Sequence, residues 1–476
     1  MSAYRHGDRA LTLGFAVVLG IVAVGARWNA QVGAQESPRP AAGGAPGIDP
    51  DGNRVSREPI PAAPSTTRRS SGELDTSFAG DGTTWSYLPG YNGGPFVQDV
   101  AEAVAVDAAG GIIVAAHGSG NLNGLPRAFA IVRYNADGTL DTTFGSNGLS
   151  TPFAGRAGEV RGMAIQPDGR IVVAGYAGGF ALARLMADGS LDASFGSGGQ
   201  VLTDVSPPSP VSELVYDMAL QSDGRIVLAG QADGGSGATA TLARYNTDGS
   251  LDTTFGAGGV VFNDVPGRAN AVAVQPDGRI VVAGFSFEMT RFNADGTLDT
   301  GFGSGGHVAL PFGDSGWESE AFALLAQPDG KVVVAGGTYL SQYDFAIARL
   351  DPDGSLDKGF GRGGMVTTDF YGEVDTIRAL VLQPDGRLVA AGYAAPHHSS
   401  IRHLALARYE PDGALDRSFG KSGRATAEID DPVYYDLGRA LAVQPDGRLV
   451  VAGNVHFFCE DGSCDLSAYA LARFLP

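Results

Sequence analysis

Charged and aromatic side chains occupy one position that recurs seven times along the chain. The position lies five residues before a repeated glutamine, or before Asp107 in the first copy, and its neighbours are largely small or aliphatic. A carboxylate among guanidinium groups could perform acid–base chemistry or hold a polar ligand. The alternative is that the position only marks the solvent-facing start of a strand. The seven residues are Glu102, Arg161, Tyr216, Asn270, Phe322, Arg378 and Arg439.

Arginine and aspartate recur at two further positions and predict one ion pair in every repeat. A ring of charges with a binding function is one interpretation of this pattern. A structural pair is favoured, because a residue that every repeat contains serves the repeat itself. The arginines are Arg133, Arg184, Arg244, Arg291, Arg349, Arg408 and Arg473, and the aspartates are Asp75, Asp141, Asp192, Asp252, Asp299, Asp357 and Asp416.

Residues 351–357, Asp-Pro-Asp-Gly-Ser-Leu-Asp, have the alternating oxygen donors and the glycine of a calcium-binding loop. Most of the equivalent segments begin with Asn and lack the final bidentate Glu of an EF-hand loop. Asp-Gly is also an ordinary turn dipeptide. We therefore predict no metal site and no cofactor, and calcium binding by these loops is the alternative.

Two motifs that resemble catalytic or metal-binding groups are better explained as loops. Residues 313–316, Gly-Asp-Ser-Gly, match the nucleophile signature of trypsin-like proteases, but no histidine stands in a matching context. His397, His398 and His403 cluster without a nearby Cys or acidic ligand. The sequence therefore predicts no catalytic residue.

Cys459 and Cys464 are the only cysteines in the chain, and they flank a short Glu-Asp-Gly-Ser segment. In an exported protein, two cysteines this close around a glycine turn favour a disulfide. Two free thiols are the alternative. Two cysteines alone cannot complete a tetrahedral metal site.

The elements that must position these side chains follow from three motifs in fixed order. Residues 166–175, Gln-Pro-Asp-Gly-Arg-Ile-Val-Val-Ala-Gly, recur six more times, the first copy being degenerate. Alternating residues before the turn and an apolar run after it predict a β-hairpin. An Ala-Leu-Ala-Arg-Tyr segment predicts a third strand, and Leu-Asp-x-x-Phe a fourth. Four strands per repeat are typical of a β-propeller blade.

The two ends of the repeat region complement each other. Residues 74–78 are a Leu-Asp-x-x-Phe motif without preceding strands, whereas the chain ends shortly after Arg473 without such a motif. We expect residues 74–78 to complete the last blade beside Arg473, which would remove a free strand edge. The predicted fold is thus all-β: a seven-bladed propeller over residues 72–476, with four antiparallel strands per blade.

This set of motifs resembles the delta-60 repeat of bacterial exported proteins over nearly all of residues 72–476. The strand order is also similar to that of kelch propellers, although the kelch double glycine is mostly single here. The first repeat departs most, with Ala109 in place of the turn aspartate. The resemblance implies the propeller fold and a surface location, and it implies no common biochemical activity.

The amino terminus has the features of an export signal. Arg5 and Arg9 precede an apolar run at residues 10–26, and small residues follow at 32–34. We predict a signal peptide at residues 1–34, with an uncleaved membrane anchor as the alternative. Residues 35–71 are rich in Pro, Gly and Ser and predict a linker. The expected location is secreted, periplasmic or at the cell surface.

Charge and composition narrow the function. The net charge of −19 and the absence of a basic stripe exclude nucleic acid as the expected partner. We predict a non-catalytic monomer that binds a protein, peptide or glycan through a loop face or the channel mouth. One alternative is a hydrolase or lyase that acts at the channel, with acid and base among Glu102, Arg161, Arg378 and Arg439. Another is a structural envelope protein stabilised by calcium.

Overall fold

The computed structural model describes most of the predicted repeat region. The described residues are 70–88, 96–118, 129–205, 213–233, 238–266, 268–312, 319–339, 343–396, 401–429, 435–458 and 465–476. They form strands and turns without a helix, which confirms the all-β class. Accordingly, no helix suited to crossing a membrane occurs in these ranges.

Several predictions concern residues outside these ranges. They are the signal peptide at 1–34, nearly all of the linker at 35–71, the 313–316 motif, His397 and His398, and the Cys459 and Cys464 pair.

The first four strand groups follow the predicted order of the motifs. β1 (Thr83–Ser86) precedes the repeats, and the first repeat contains β2 (Phe96–Val106), β3 (Ile112–Gly118), β4 (Phe129–Tyr134) and β5 (Leu149–Ser150). The next three repeats contain β6 (Glu159–Ile165), β7 (Ile171–Tyr176), β8 (Phe180–Leu185), β9 (Gln200–Thr203), β10 (Leu214–Leu220), β11 (Ile226–Asp233), β12 (Ala238–Tyr245), β13 (Val260–Pro266), β14 (Ala269–Val274), β15 (Ile280–Gly284), β16 (Glu288–Phe292) and β17 (His307–Ala309).

The remaining strands continue the pattern to the end of the chain. They are β18 (Glu320–Ala326), β19 (Val332–Tyr339), β20 (Tyr343–Leu350), β21 (Met365–Thr368), β22 (Asp375–Leu382), β23 (Leu388–Ala394), β24 (His403–Tyr409), β25 (Arg424–Ala427), β26 (Tyr435–Val443), β27 (Leu449–Phe458) and β28 (Asp465–Phe474).

The strands pair into repeated antiparallel sheets of four, an arrangement consistent with a β-propeller. Five such sheets are separate, from β6–β9 to β22–β25. The first and last repeats are joined in one eight-stranded sheet, because β2 pairs with β28 in parallel at Phe96 and Asp465. β1 pairs with β28 on the same sheet.

The Gln-Pro-Asp-Gly segments form the predicted hairpin turns. In the second repeat, Gly169 has a φ of 83°, in the left-handed region that glycine adopts without strain. Its N–H donates to the Gln166 carbonyl at 2.9 Å. The Asp168 carboxylate accepts the Arg170 N–H at 3.0 Å. These hydrogen bonds close the turn and hold the first and second strands in register.

The Leu-Asp-x-x-Phe motif is not the fourth strand, contrary to the prediction. Its leucine makes a single bridge to the third strand, as Leu191 does to Leu185. The following residues turn, because the Asp192 carboxylate accepts the N–H and hydroxyl of Ser194. The fourth strand, here β9, begins only after this turn. Short-range hydrogen bonds of an Asp with the residue two positions on favour a turn over an extended strand.

Each repeated arginine joins its own repeat to the next one. The Arg244 Nε donates to the Asp252 carboxylate at 2.8 Å, which confirms the predicted ion pair. Its guanidinium lies 4.4 Å from the Phe255 ring and donates to the Ala294 carbonyl in the following repeat. We call this arginine, aspartate and phenylalanine group the latch. The buried guanidinium has three partners, which are the carboxylate, the aromatic ring and the carbonyl of the following repeat. The latch therefore holds neighbouring sheets together.

The same latch connects the last repeat to the first repeat and to the residues that precede it. Arg473 pairs with Asp75 at 2.8 Å, lies 4.8 Å from the Phe78 ring and donates to the Ala136 carbonyl. Leu74 bridges Phe474. The first strands also contact one another in succession, from β2 through β6, β10, β14, β18 and β22 to β26, and β26 contacts β2.

Candidate functional site: the axial layer

The seven residues singled out in the sequence all occupy β-bulges. In each first strand the register with the second strand shifts across that one residue, as it does for Arg161 between Val160 and Gly162. A bulge leaves its extra residue out of the ladder and redirects its side chain. The shifts flank Glu102, Arg161, Tyr216, Asn270, Phe322, Arg378 and Arg439.

A glycine on the second strand accommodates the bulge in six of the seven repeats. A Cβ on Gly336 would lie 1.9 Å from the Glu320 carbonyl oxygen, and a Cβ on Gly392 would lie 1.9 Å from that of Thr376. No side chain fits at such a distance from main-chain oxygen. The first repeat has Ala116 at this register position. The final glycine of the Val-Ala-Gly motif therefore has a steric purpose, to let the first strand bulge.

The first strands contact one another around the ring of repeats, and their bulge side chains pack together in what we call the axial layer. Six of the seven are at most 8% exposed, and the Arg439 side chain is 14% exposed. The predicted group of residues is therefore brought together by the fold. Its members contact each other rather than lying individually in solvent.

Glu102 is the electrostatic centre of one side of the axial layer. Its carboxylate lies 3.2 Å from the Arg161 guanidinium and 3.5 Å from that of Arg439. Arg161 also pairs with Glu159, and the Arg439 Nε donates to Asn454 at 2.9 Å. A carboxylate shared by two guanidinium groups is held in one orientation.

The other side of the axial layer is an alternating stack of aromatic rings and arginines. Arg378 lies 3.8 Å from the centre of the Phe322 ring and 5.8 Å from that of Tyr393. Arg402 lies 4.7 Å from the Tyr393 ring and 5.2 Å from the Tyr435 ring. This stack crosses three repeats. Aromatic faces hold guanidinium groups in place while leaving their N–H edges able to donate hydrogen bonds.

Tyr393 has an unusual phenol because it lies between two arginines. Burial alone raises the pKa of Tyr393, but the positive charges of Arg378 and Arg402 outweigh it and lower the pKa to about 8. A phenol with such a pKa exchanges its proton far more readily near neutral pH than an ordinary tyrosine does.

A third group of residues links the Glu102 side of the axial layer to the stack of aromatic rings and arginines. Tyr216 and Phe322 pack against each other although they come from the third and fifth repeats. Asn270 donates to Glu320 at 2.8 Å and to the Ala321 carbonyl at 3.0 Å. Arg268 pairs with Glu320 at 2.7 Å.

Sequence reasoning missed half of this layer. Arg268, Glu320, Tyr393, Arg402 and Tyr435 lie at strand ends outside the seven recurring positions. The one signal that could have located them is register. Arg268, Glu320 and Tyr393 lie one or two residues from a bulge or from the partner of one, and Arg402 bridges Tyr435, but these relations are visible only when the strands are paired.

The two ends of the sheets differ in how they connect their strands. Every turn from first to second strand contains five residues, as at residues 166–170, whereas the connections from second to third strand contain three to ten. Five of the seven bulges lie nearer the start of their first strand than its end, towards the variable connections, whereas Arg439 is central in β26 and Glu102 lies in the second half of β2. Length variation confined to one end of a repeat array is typical of its binding face.

The Asp-x-Asp-Gly segments act as turns in the described structure. The Asp353 carboxylate accepts the N–H and the hydroxyl of Ser355 at 2.9 and 2.6 Å. Asp351 and Asp357 both accept from the Lys331 ammonium. These carboxylates therefore already have partners in the chain.

His403, the one described member of the predicted histidine cluster, lies 3.5 Å from the Glu428 carboxylate. An acidic group, absent from the sequence neighbourhood, is thus brought near it by the pairing of β24 with β25.

A family model described as "Domain of unknown function (DUF5122) beta-propeller" matches the chain at residues 110–144, 166–195, 221–255, 275–302, 327–360 and 383–419. Each segment begins at or near a hairpin turn and ends close to a latch phenylalanine. These matches support a β-propeller family. They do not show that the repeats are of the delta-60 type, and they do not show that the propeller is kelch-like. No curated protein matches the sequence.

Three solved structures illustrate the likeness at low identity. A protein of unknown function from Dyadobacter fermentans has 12% identity and a TM-score of 0.42, with 83% of this chain and 100% of that chain covered. One from Bacteroides caccae has 12% identity and a TM-score of 0.38, with 64% and 93% covered. A gluconolactonase from Xanthomonas campestris has 16% identity and a TM-score of 0.36, with 70% and 95% covered.

Proposed function

We propose that residues 72–476 form a closed seven-bladed propeller of the delta-60 type that acts as a non-catalytic binding module. In this proposal β1 and the latch residues Asp75 and Phe78 complete the last blade. The protein acts as a monomer outside the cytoplasm, in the secreted fraction, the periplasm or at the cell surface. A similarity to kelch propellers in strand order is part of the same proposal.

The single observation that carries the binding function is the agreement of two independent features at one end of the sheets. Five of the seven bulges lie towards that end, and there the strand connections vary in length while the opposite turns do not. Residues that only support the fold recur unchanged, as the latch does. The bulge position instead holds five residue types over the seven repeats, and a position that varies in this way is free to suit a ligand.

The chemistry of the axial layer favours a ligand with acceptor groups. Arg378 and Arg402 are held by aromatic faces, so their N–H groups can donate to carboxylates, hydroxyls or main-chain carbonyls. A protein, peptide or glycan segment offers such groups at the end of the propeller. Tyr393 and Tyr435 supply rings for apolar contact.

A glycan and peptide array tests the proposal. The purified protein is screened with and without calcium, together with Arg378→Gln, Arg402→Gln and the control Arg279→Gln. Arg279 lies in a Gln-Pro-Asp-Gly turn at the opposite end. We expect a specific ligand whose binding weakens at least about tenfold in the first two variants, about 1.4 kcal/mol, and stays unchanged in the control. Equal loss in all three, or no ligand, would oppose the binding module.

Tyr393 favours one alternative, an enzyme at the channel. A phenol with a pKa of about 8 beside two arginines could take a proton from a substrate and stabilise the resulting anion. This hydrolase or lyase would lose at least about a hundredfold in kcat in Tyr393→Phe. Activity unaffected by that variant would count against it.

A further inference from the structure

A cluster of three carboxylates lies at the junction between the fifth and sixth repeats, apart from the axial layer described above. Asp344 is at the start of β20, Asp369 follows β21, and Asp375 begins β22. One carboxylate oxygen from each lies within 4.8 Å of the other two. Strand pairing brings them together from three elements that are up to 31 positions apart in sequence.

Comparison with other repeats shows which part of the cluster has a structural role. At the position of Asp375, Asp99 and Asp436 also precede the bulge by three residues. Each accepts the N–H of a residue that follows a fourth strand, Leu88 at 2.8 Å and Ile429 at 3.0 Å. Asp375 does the same through Oδ2, which accepts the Phe370 N–H at 2.7 Å. This hydrogen bond joins one repeat to the next. It accounts for the presence of Asp375 alone among the three carboxylates.

The second oxygen of Asp375 has no such explanation. Asp375 is fully buried, and its Oδ1 has no hydrogen-bond partner in the described structure. A buried carboxylate oxygen without a donor is costly unless a cation or a proton occupies its lone pairs.

The two other carboxylates are not needed for the connection between repeats. At the junction of the last and first repeats the equivalent positions, read from the strand register, hold Ala468 and Tyr87 beside Asp99. Among the described residues, neither Asp344 nor Asp375 forms an ion pair with a basic side chain. Arg424 donates to the Asp369 carbonyl, not to its carboxylate.

We propose that Asp344, Asp369 and Asp375 bind one calcium ion at this junction. Calcium takes carboxylate oxygens at about 2.3–2.6 Å, so ligand oxygens on one ion lie within about 5 Å of each other, as these do. Three carboxylates supply only oxygen ligands, which suit a hard divalent cation and not a thiophilic one. The ion would join β20, β21 and β22 and neutralise charge that is uncompensated between two sheets.

Calorimetric titration of the full chain with calcium chloride, after removal of metal with a chelator, tests this site. The variants are Asp344→Asn and Asp369→Asn, and both positions are less buried than Asp375, so folding is preserved. The control is Asp353→Asn, in the turn that resembles a calcium loop. Circular dichroism verifies the fold of each metal-free variant.

We expect one ion per chain, a higher melting temperature with calcium, and loss of both effects in Asp344→Asn and Asp369→Asn but not in Asp353→Asn. Without calcium, Asp344→Asn should melt no lower than the parent, since it removes repulsion. Absence of binding to the parent, or binding retained in both cluster variants, would overturn the site. Loss only in Asp353→Asn would place the ion in the turn and would equally overturn it.

Discussion

At the scale of single residues, this protein has two kinds of buried charge. Each latch arginine is paired with an aspartate and stabilises the fold. The axial residues change type along the repeats, as the proposed binding function requires. Glu102 belongs to both kinds, since its carboxylate also holds Arg161 and Arg439 in place.

Replacing Glu102 by Gln should destabilise the protein by about 3 kcal/mol, because two guanidinium groups would lose their buried counter-charge. Urea unfolding of the variant and of the control Glu73→Gln measures this effect. Glu73 is exposed, so its variant should change the free energy of unfolding by less than about 0.5 kcal/mol. Equal effects of the two substitutions would mean that the axial pair contributes nothing.

The pKa of Asp357 predicts that the free energy of unfolding decreases at low pH. Burial raises the pKa of Asp357, but Lys331, the Gly359 N–H and Arg349 outweigh it and lower the pKa to about 2. The unfolded value is about 3.9, so the folded state favours the ionised form. This contribution is fully present above about pH 4 and is lost as the pH falls through about 2.

Unfolding of the unsubstituted protein and of Asp357→Asn at several pH values tests whether this stabilisation is lost as the pH falls. The parent should be more stable by about 2 kcal/mol at pH 6, and the difference should shrink towards pH 2. A difference that is constant between pH 6 and pH 2 would refute the assignment of the latch pair as its source.

At the scale of elements, the bulge is the feature that turns a regular hairpin into part of a site. In six repeats it depends on a glycine on the neighbouring strand, because a Cβ there would overlap a main-chain oxygen. The first repeat keeps its bulge at Glu102 with Ala116 at this register position.

Replacing Gly336 by Ala should cost about 3 kcal/mol, since the Cβ would lie 1.9 Å from the Glu320 oxygen and the strands would have to separate. In the control Gly363→Ala the Cβ meets open space, and only the φ of 69° is unfavourable, at about 1 kcal/mol. Thermal unfolding compares the two. A smaller effect at Gly336 than at Gly363 would contradict the steric role of the glycine.

At the scale of the whole molecule, the proposed closure of the propeller depends on the residues that precede the first repeat. β1 pairs along β28, and Asp75 and Phe78 complete the latch of Arg473. Without them the last sheet would have three strands and a free edge, a ready template for pairing with another chain.

A truncated chain that begins at residue 87 should melt at least about 10 °C lower than one that begins at residue 70, and it should associate at micromolar concentration. The shorter truncation keeps every contact of β1 and of the latch, so it is the matched control. Size-exclusion chromatography and calorimetry measure both effects. Identical behaviour of the two chains would argue against closure by this segment.

The sequence by itself determined the strand pattern, the turns and the latch, because these rest on local chemistry. Proline and glycine shape the turns, alternating apolar residues form the strands, and Arg244 and Asp252 are only eight positions apart. It also located the seven bulge positions, through their variation, without showing that they were bulges. It misplaced the fourth strand, because Leu-Asp-x-x-Phe has the composition of a short strand while its aspartate closes a turn.

Only the tertiary structure decided which side chains meet. Tyr216 packs on Phe322 from a different repeat, and Arg402 joins the stack from a third strand that carries no signal in the sequence. Asp344, Asp369 and Asp375 likewise look like three ordinary acidic residues until β20, β21 and β22 bring them within one ion's reach. The physical reason is that contacts between sheets depend on register and on the angle between repeats, and neither is encoded within a single repeat.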